Sequence, residues 1–161
     1  MKARREVHRF LLASVLVTSC TANRELSSEP DRSRLLNLHA EVMEAHRAGN
    51  VELILRSETD SYVVANRGAV THPTTEQRRA QLGRYLASTH FDEYSDVVAP
   101  TVTVSGDGSL GWVIVQVRAR GKQTAEDGST RTIDFESAWI ELYEKRGMEW
   151  FRVGNVSNFK P

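Results

Sequence analysis

Four long apolar runs, Tyr94–Val104, Leu110–Val117, Ile133–Tyr143 and Trp150–Phe159, dominate the chain after Phe91 and leave few architectures open to it. The breaks between them are Gly106-Asp107-Gly108, Asp127-Gly128 and Arg146-Gly147, where glycine beside a polar residue supplies the positive φ of tight turns. The pattern predicts a four-stranded antiparallel meander. Pro100 in the first run predicts an edge position or a bulge that bends the strand, and long bent strands curl a sheet. In the second run Trp112 and Ile114 point one way while Val113, Val115 and Val117 point the other, so both faces are apolar. One face meets helices. The other needs a second cover, either a partner subunit in a homodimer, the simplest solution, or a fold-over of the sheet's own edges.

The helices are expected upstream. Leu35, Leu38 and Val42 form a stripe from Arg34 onward, with Asp31 or Ser33 as cap and Gly49-Asn50 as stop. Val51–Leu55 reads as a second, short helix. Tyr62-Val63-Val64-Ala65 has the β-branched and aromatic content of a strand, closed by Asn66-Arg67-Gly68. After His72-Pro73, Thr74 or Thr75 caps a third helix with Leu82, Tyr85 and Leu86 on its apolar face. With 161 residues, 40% hydrophobic and 26% charged, the chain has the length and composition of one globular α+β domain.

The start of the chain has a different grammar. Lys2, Arg4, Arg5 and Arg9 precede a short apolar run, Phe10–Val17, which is too short to span a bilayer. It ends in Val17-Thr18-Ser19-Cys20, which resembles a bacterial lipobox. That resemblance implies a lipoprotein signal peptide over residues 1–19, acylation of Cys20, and a protein exported to the cell envelope and held at the membrane by lipid alone. The alternative is a buried cysteine in an N-terminal helix. Loss of the leader removes four basic residues and one acidic one, which leaves a mildly acidic remainder. Residues 20–33, polar and interrupted by Pro30, read as a tether, and residues 34–161 as the domain.

Composition excludes several function classes. The formal charge is zero, with 21 basic and 21 acidic residues, so no field favours nucleic acid. A single cysteine excludes an internal disulfide framework and a multi-cysteine metal site. No Gly-rich phosphate loop, Gly-x-Ser-x-Gly elbow or His-Glu-x-x-His is present, so no cofactor is expected.

The order helix, helix, strand, helix and then long antiparallel strands resembles the nuclear transport factor 2-like (NTF2-like) superfamily, which includes the SnoaL-like and DUF4440-like domains. The stretches that carry the resemblance are Ala45–Glu52, with its break after alanine and glycine, and the closing Glu149–Phe159. It implies a cone formed by a curved antiparallel sheet with three N-terminal helices packed on its concave face. Members use such a cavity for isomerase, dehydratase or cyclase chemistry, for ligand binding, or for assembly. Many carry a histidine two residues before the closing serine; Asn155 stands at that position here, which replaces a group that titrates near neutral pH by one that only hydrogen-bonds.

Candidate site residues follow from the strands and from this cone. Tyr62, Trp112, Trp139, Asn155 and Ser157 are expected to line a site for a small apolar or aromatic ligand, with the alternative that the aromatic groups are plain core. His39 is the acid–base candidate at the helical wall. His46 shares its helix face but stands about 10.5 Å further along the axis, too far to share a metal ion with it. His90, Asp92, Glu93 and Asp96 offer ligands at close spacing without a second histidine, so no metal site is expected. Asp60, Asp96, Asp134 and Glu136 are carboxylates on or beside strands. Two function classes remain, a binding protein for a small molecule or protein partner, and a cofactor-independent isomerase or lyase.

Overall fold

A computed structural model describes residues 20–160, with side chains from Ser28 to Asn158. The leader 1–19 and the acylation expected at the Cys20 side chain lie outside the described residues. The elements are α1 (Cys20–Arg47), α2 (Val51–Leu55), β1 (Glu58–Asn66), β2 (Ala69–Thr71), α3 (Thr75–Ser88), β3 (Thr89–Asp96), β4 (Thr101–Val104), β5 (Leu110–Thr124), β6 (Thr130–Arg146) and β7 (Glu149–Lys160). Among the described residues no helix is long and apolar enough to cross a membrane.

Local chemistry accounts for most of the boundaries. Asn50 caps α2 by accepting from the Leu53 amide, and Thr74 with Gln77 forms a reciprocal capping box on α3. α1 begins well before the expected Arg34 and runs through Pro30, although a proline inside a helix removes one i→i−4 bond and crowds the carbonyl four residues before it. The expected tether over 20–33 is therefore helical in the structure. Asp31 ties this end of the helix to the sheet by accepting from Lys145 Nζ at 2.7 Å and Trp150 Nε1 at 2.9 Å.

The seven strands form one curved, open sheet in the order β2-β1-β7-β6-β5-β3, with β4 also paired to β5. Two features depart from a simple meander. The first apolar run is two strands, separated around Pro100, and both pair antiparallel with β5, β3 along Val117–Gln123 and β4 along Gly111–Ile114. β1 pairs parallel with β7, so the sheet is not purely antiparallel. Its neighbour β2 is a short strand that the sequence did not signal.

Alternation sets the two faces. Val113, Val115, Val117 and Ala119 of β5 are buried on the inner face against Leu35, Leu38 and Met43 of α1. Gly111 lies on that face: a Cβ there would collide with Leu35, so its absence lets α1 lie close against the sheet. α1 contacts β3, β4 and β5 and α3 contacts β3, while α2 packs mainly on the other two helices. A second apolar cluster, Ala45, Ile54, Leu55, Leu82 and Leu86, joins the three helices.

Close backbone approach also fixes the sheet's edge. A Cβ at Gly121 would run into the carbonyl oxygen of His90, where the β3–β5 register shifts between Phe91 and Glu93. Gly121→Ala is expected to cost about 2–3 kcal/mol through the backbone displacement it forces. A urea midpoint equal to that of the wild type would show that β3 yields without strain.

Candidate functional site

Between the inner face and the helices lies a cavity of about 320 Å³. Val42 and His46 of α1, Ile54 of α2, and Leu82 and Tyr85 of α3 form its helical wall. On the sheet side, β6 turns Phe135, Ser137, Trp139 and Glu141 inward at every second position. β7 adds Arg152, Asn155 and Ser157, and β1 adds Tyr62, Val64 and Asn66.

Trp139 stands opposite Ser157 and Glu141 opposite Asn155 in the β6–β7 ladder. Arg152 is three positions from Asn155, an odd spacing that would normally put the two on opposite faces. A register shift opposite Leu142 and Tyr143 inserts Val153 as an extra residue, so both point inward.

The cavity's charged groups are tied into two clusters. In the first, Glu58 accepts from Arg78 through Nε at 3.0 Å and Nη2 at 2.7 Å. It also accepts from Arg152 Nη2 at 2.7 Å, which reaches the Ile54 carbonyl at 3.0 Å as well. The guanidiniums of Arg78 and Arg152 lie 4.8 Å and 5.7 Å from the centre of the Tyr62 ring. Burial opposes the charge on Arg152, but Tyr62, Glu58 and Glu141 around it outweigh that and hold it cationic. Burial also pushes the Tyr62 hydroxyl up to about 12.

The second cluster is centred on Glu141, which is 1% exposed. It accepts three hydrogen bonds, from His39 Nδ1 at 3.1 Å, Trp139 Nε1 at 3.0 Å and the Tyr143 hydroxyl at 2.7 Å. Burial alone would raise its pKa, yet the bond and charge of His39, the charge of Arg152 and the Tyr143 bond bring it down to about 2. His39 Nε2 faces the Asp96 carboxylate at 3.2 Å. Burial disfavours the His39 charge, and Glu141 followed by Asp96 reverses this and raises its pKa.

His46 behaves differently. Its Nδ1 donates to the Val42 carbonyl at 2.8 Å, and its ring stacks on Tyr94 with centroids 4.9 Å apart and planes at 10°. Burial lowers its pKa to about 4, and the charges of Arg152 and Arg78 add to the lowering. It is a neutral imidazole on the cavity wall.

Of the residues singled out from sequence, Tyr62, Trp139, Asn155 and Ser157 come together around the cavity. Trp112 does not line it: it lies on the outer face of β5, opposite Leu142. His39 stands behind Glu141 with both ring nitrogens engaged by carboxylates, so it does not line the cavity either. Asp60 accepts from Thr75, while Asp134 pairs with Arg120 and Glu136 with Arg118. Among the described residues no group of three or more histidine, cysteine, aspartate or glutamate side chains is placed to hold a metal ion.

A curved sheet backed by helices around a lined cavity defines a small α+β cone. No family model matches the sequence, and no curated protein matches it. Solved structures do. An NTF2-like protein from Cytophaga hutchinsonii superposes with a TM-score of 0.64 at 13% identity, over 80% of this chain and 98% of that one. A ketosteroid isomerase-like protein from Erwinia carotovora atroseptica gives 0.60 at 13% identity, over 83% and 99%. The association domain of C. elegans CaMKII gives 0.59 at 15% identity, over 82% and 98%. The chain has the NTF2-like superfamily fold, and at these identities the likeness is one of fold.

Proposed function

We propose that the protein binds a small molecule in this cavity, and that it does so as a homodimer held in the cell envelope by an acylated Cys20. The observation that carries the binding reading is the state of the cavity's carboxylate. Glu141 already accepts from three donors and is held at about 2, so it is a poor proton acceptor, and the wall around it mixes aromatic and aliphatic side chains with hydrogen-bonding ones. Asn155 and Ser157, adjacent on one face, are the polar groups suited to orient a ligand. The lipobox-like Val17–Cys20 supports the anchor, and the likeness to an association domain supports self-assembly. A second reading, a cofactor-independent isomerase or lyase, draws on the neutral imidazole of His46 and on the likeness to a ketosteroid isomerase-like protein.

Native mass spectrometry of protein purified from its own envelope tests the proposal. The expected spectrum shows a chain beginning at acylated Cys20 and a retained small molecule. Ser157→Phe, which places a ring opposite Trp139 inside the cavity, is expected to lose that molecule. An unacylated terminus rejects the anchor; absence of any bound mass in the wild type rejects the binding reading.

A further inference from the structure

Resting on the binding reading above, we infer that the cavity is built for an uncharged, partly apolar molecule whose N–H or O–H group donates to Nε2 of His46. The tautomer is fixed by a local contact. A carbonyl only accepts, so the 2.8 Å bond to Val42 places the single proton of the neutral ring on Nδ1. Nε2 then carries a lone pair, on the edge of the ring turned away from its own helix. The parallel stack on Tyr94 holds the plane of the ring and so the direction of that lone pair.

Charge follows from the two clusters already described. Arg78 and Arg152 share Glu58, and His39 bridges Glu141 and Asp96. With Glu141 near Arg152 as well, the three cations meet three anions, and the buried charge is balanced before any ligand enters. A charged ligand would bring an uncompensated charge beside these balanced clusters and is disfavoured there. A neutral one meets Ile54, Leu82, Tyr62 and Trp139 beside the hydrogen-bonding Asn66, Gln81, Asn155 and Ser157, and a donor on it satisfies the acceptor that His46 presents.

Three probes of one shape separate these requirements: indole, which carries an N–H donor; indene, which replaces that group by CH2; and indole-3-carboxylate, which adds a charge. Dissociation constants are measured by ligand-observed NMR on the full protein and on His46→Phe, which keeps a ring against Tyr94 and loses the acceptor. The preference for indole over indene is expected to fall about tenfold in His46→Phe, the worth of one hydrogen bond, and the carboxylate is expected to bind most weakly. The His46 Nε2 resonance of the wild type is expected to move upfield with indole and not with indene, a readout that needs no variant to fold. A preference unchanged by His46→Phe, an unmoved Nε2 resonance, or tightest binding by the carboxylate overturns the inference while leaving the cavity a binding site. Failure of all three probes to bind overturns the binding reading and this inference with it.

Discussion

Glu141→Leu is expected to lower the unfolding free energy by about 3–5 kcal/mol, the loss typical of removing one member of a buried ion pair. The substitution removes a carboxylate on which three side chains converge. His39, 2% exposed, keeps Asp96 as its counter-ion, while Trp139 Nε1 and the Tyr143 hydroxyl lose their acceptor inside the core. The pH dependence gives the prediction a signature beyond its size. The Glu141 carboxyl has a folded pKa of about 2 against an ordinary 4.5, so its contribution is present above 4.5 and is lost as pH falls toward 2. That loss amounts to roughly 3 kcal/mol. His39 works in the opposite sense: its raised pKa contributes fully below 6.5 and is lost as pH climbs through the folded value. His46, lowered to about 4, contributes above 6.5 and loses its contribution as pH falls to 4. Urea unfolding at fixed protein concentration should therefore show the acid-side loss below pH 4.5 flattened in Glu141→Leu. An unchanged acid limb would mean that Glu141 is not the ionised centre of the cluster.

Ile114→Lys is expected to convert the proposed dimer to monomer, with a dissociation constant raised at least about a thousandfold. On the outer face Ile114 lies directly opposite Ile140, which lies opposite Val156, and Trp112 lies opposite Leu142. Together they make a continuous apolar stripe across three strands. Ile114 is 43% exposed, Val156 45% and Leu142 36%, so these side chains stand uncovered in the single chain. An interface between identical faces meets each substitution twice, so one lysine introduces two unpaired charges. In the monomer the same lysine faces water, and the fold should keep its stability. Sedimentation equilibrium at micromolar concentration distinguishes the outcomes: a wild-type monomer defeats the dimer, and a dimeric Ile114→Lys moves the interface elsewhere.

The strands of the second half were legible because turn chemistry and hydrophobic runs agree, as at Asp127-Gly128 between β5 and β6. The parallel pairing of β1 with β7 was not, since nothing local in Tyr62–Ala65 names a partner almost a hundred residues away. Trp112 points outward, not into the cavity expected for it, for a related reason. Over Leu110–Val115 both faces are apolar, and the signal lies further along β5, where Gln116, Arg118 and Arg120 make the even-numbered face polar against Val117 and Ala119. Glu141 had a signal that was missed: it follows Trp139 by two positions in one strand and so shares its face. Arg152 had none, because strict alternation from Asn155 and Ser157 points it outward and only the extra residue at Val153 brings it in.

β7 makes the order of synthesis matter. The wall that holds Arg152, Asn155 and Ser157 is made after every other described element of the cone, and Arg152 closes onto Glu58 across 94 positions of sequence. Such distant closure is slow, because the chain between must be ordered before the contact returns anything. A nascent chain that has not yet emerged past Arg152 has β5 and β6 to pair with each other but no completed cavity and no partner for Glu58 beyond Arg78. Completion of the cavity thus waits until β7 has been made. Were the proposed leader to carry the chain across a membrane unfolded, the cavity would be completed, and the proposed ligand taken up, on the far side.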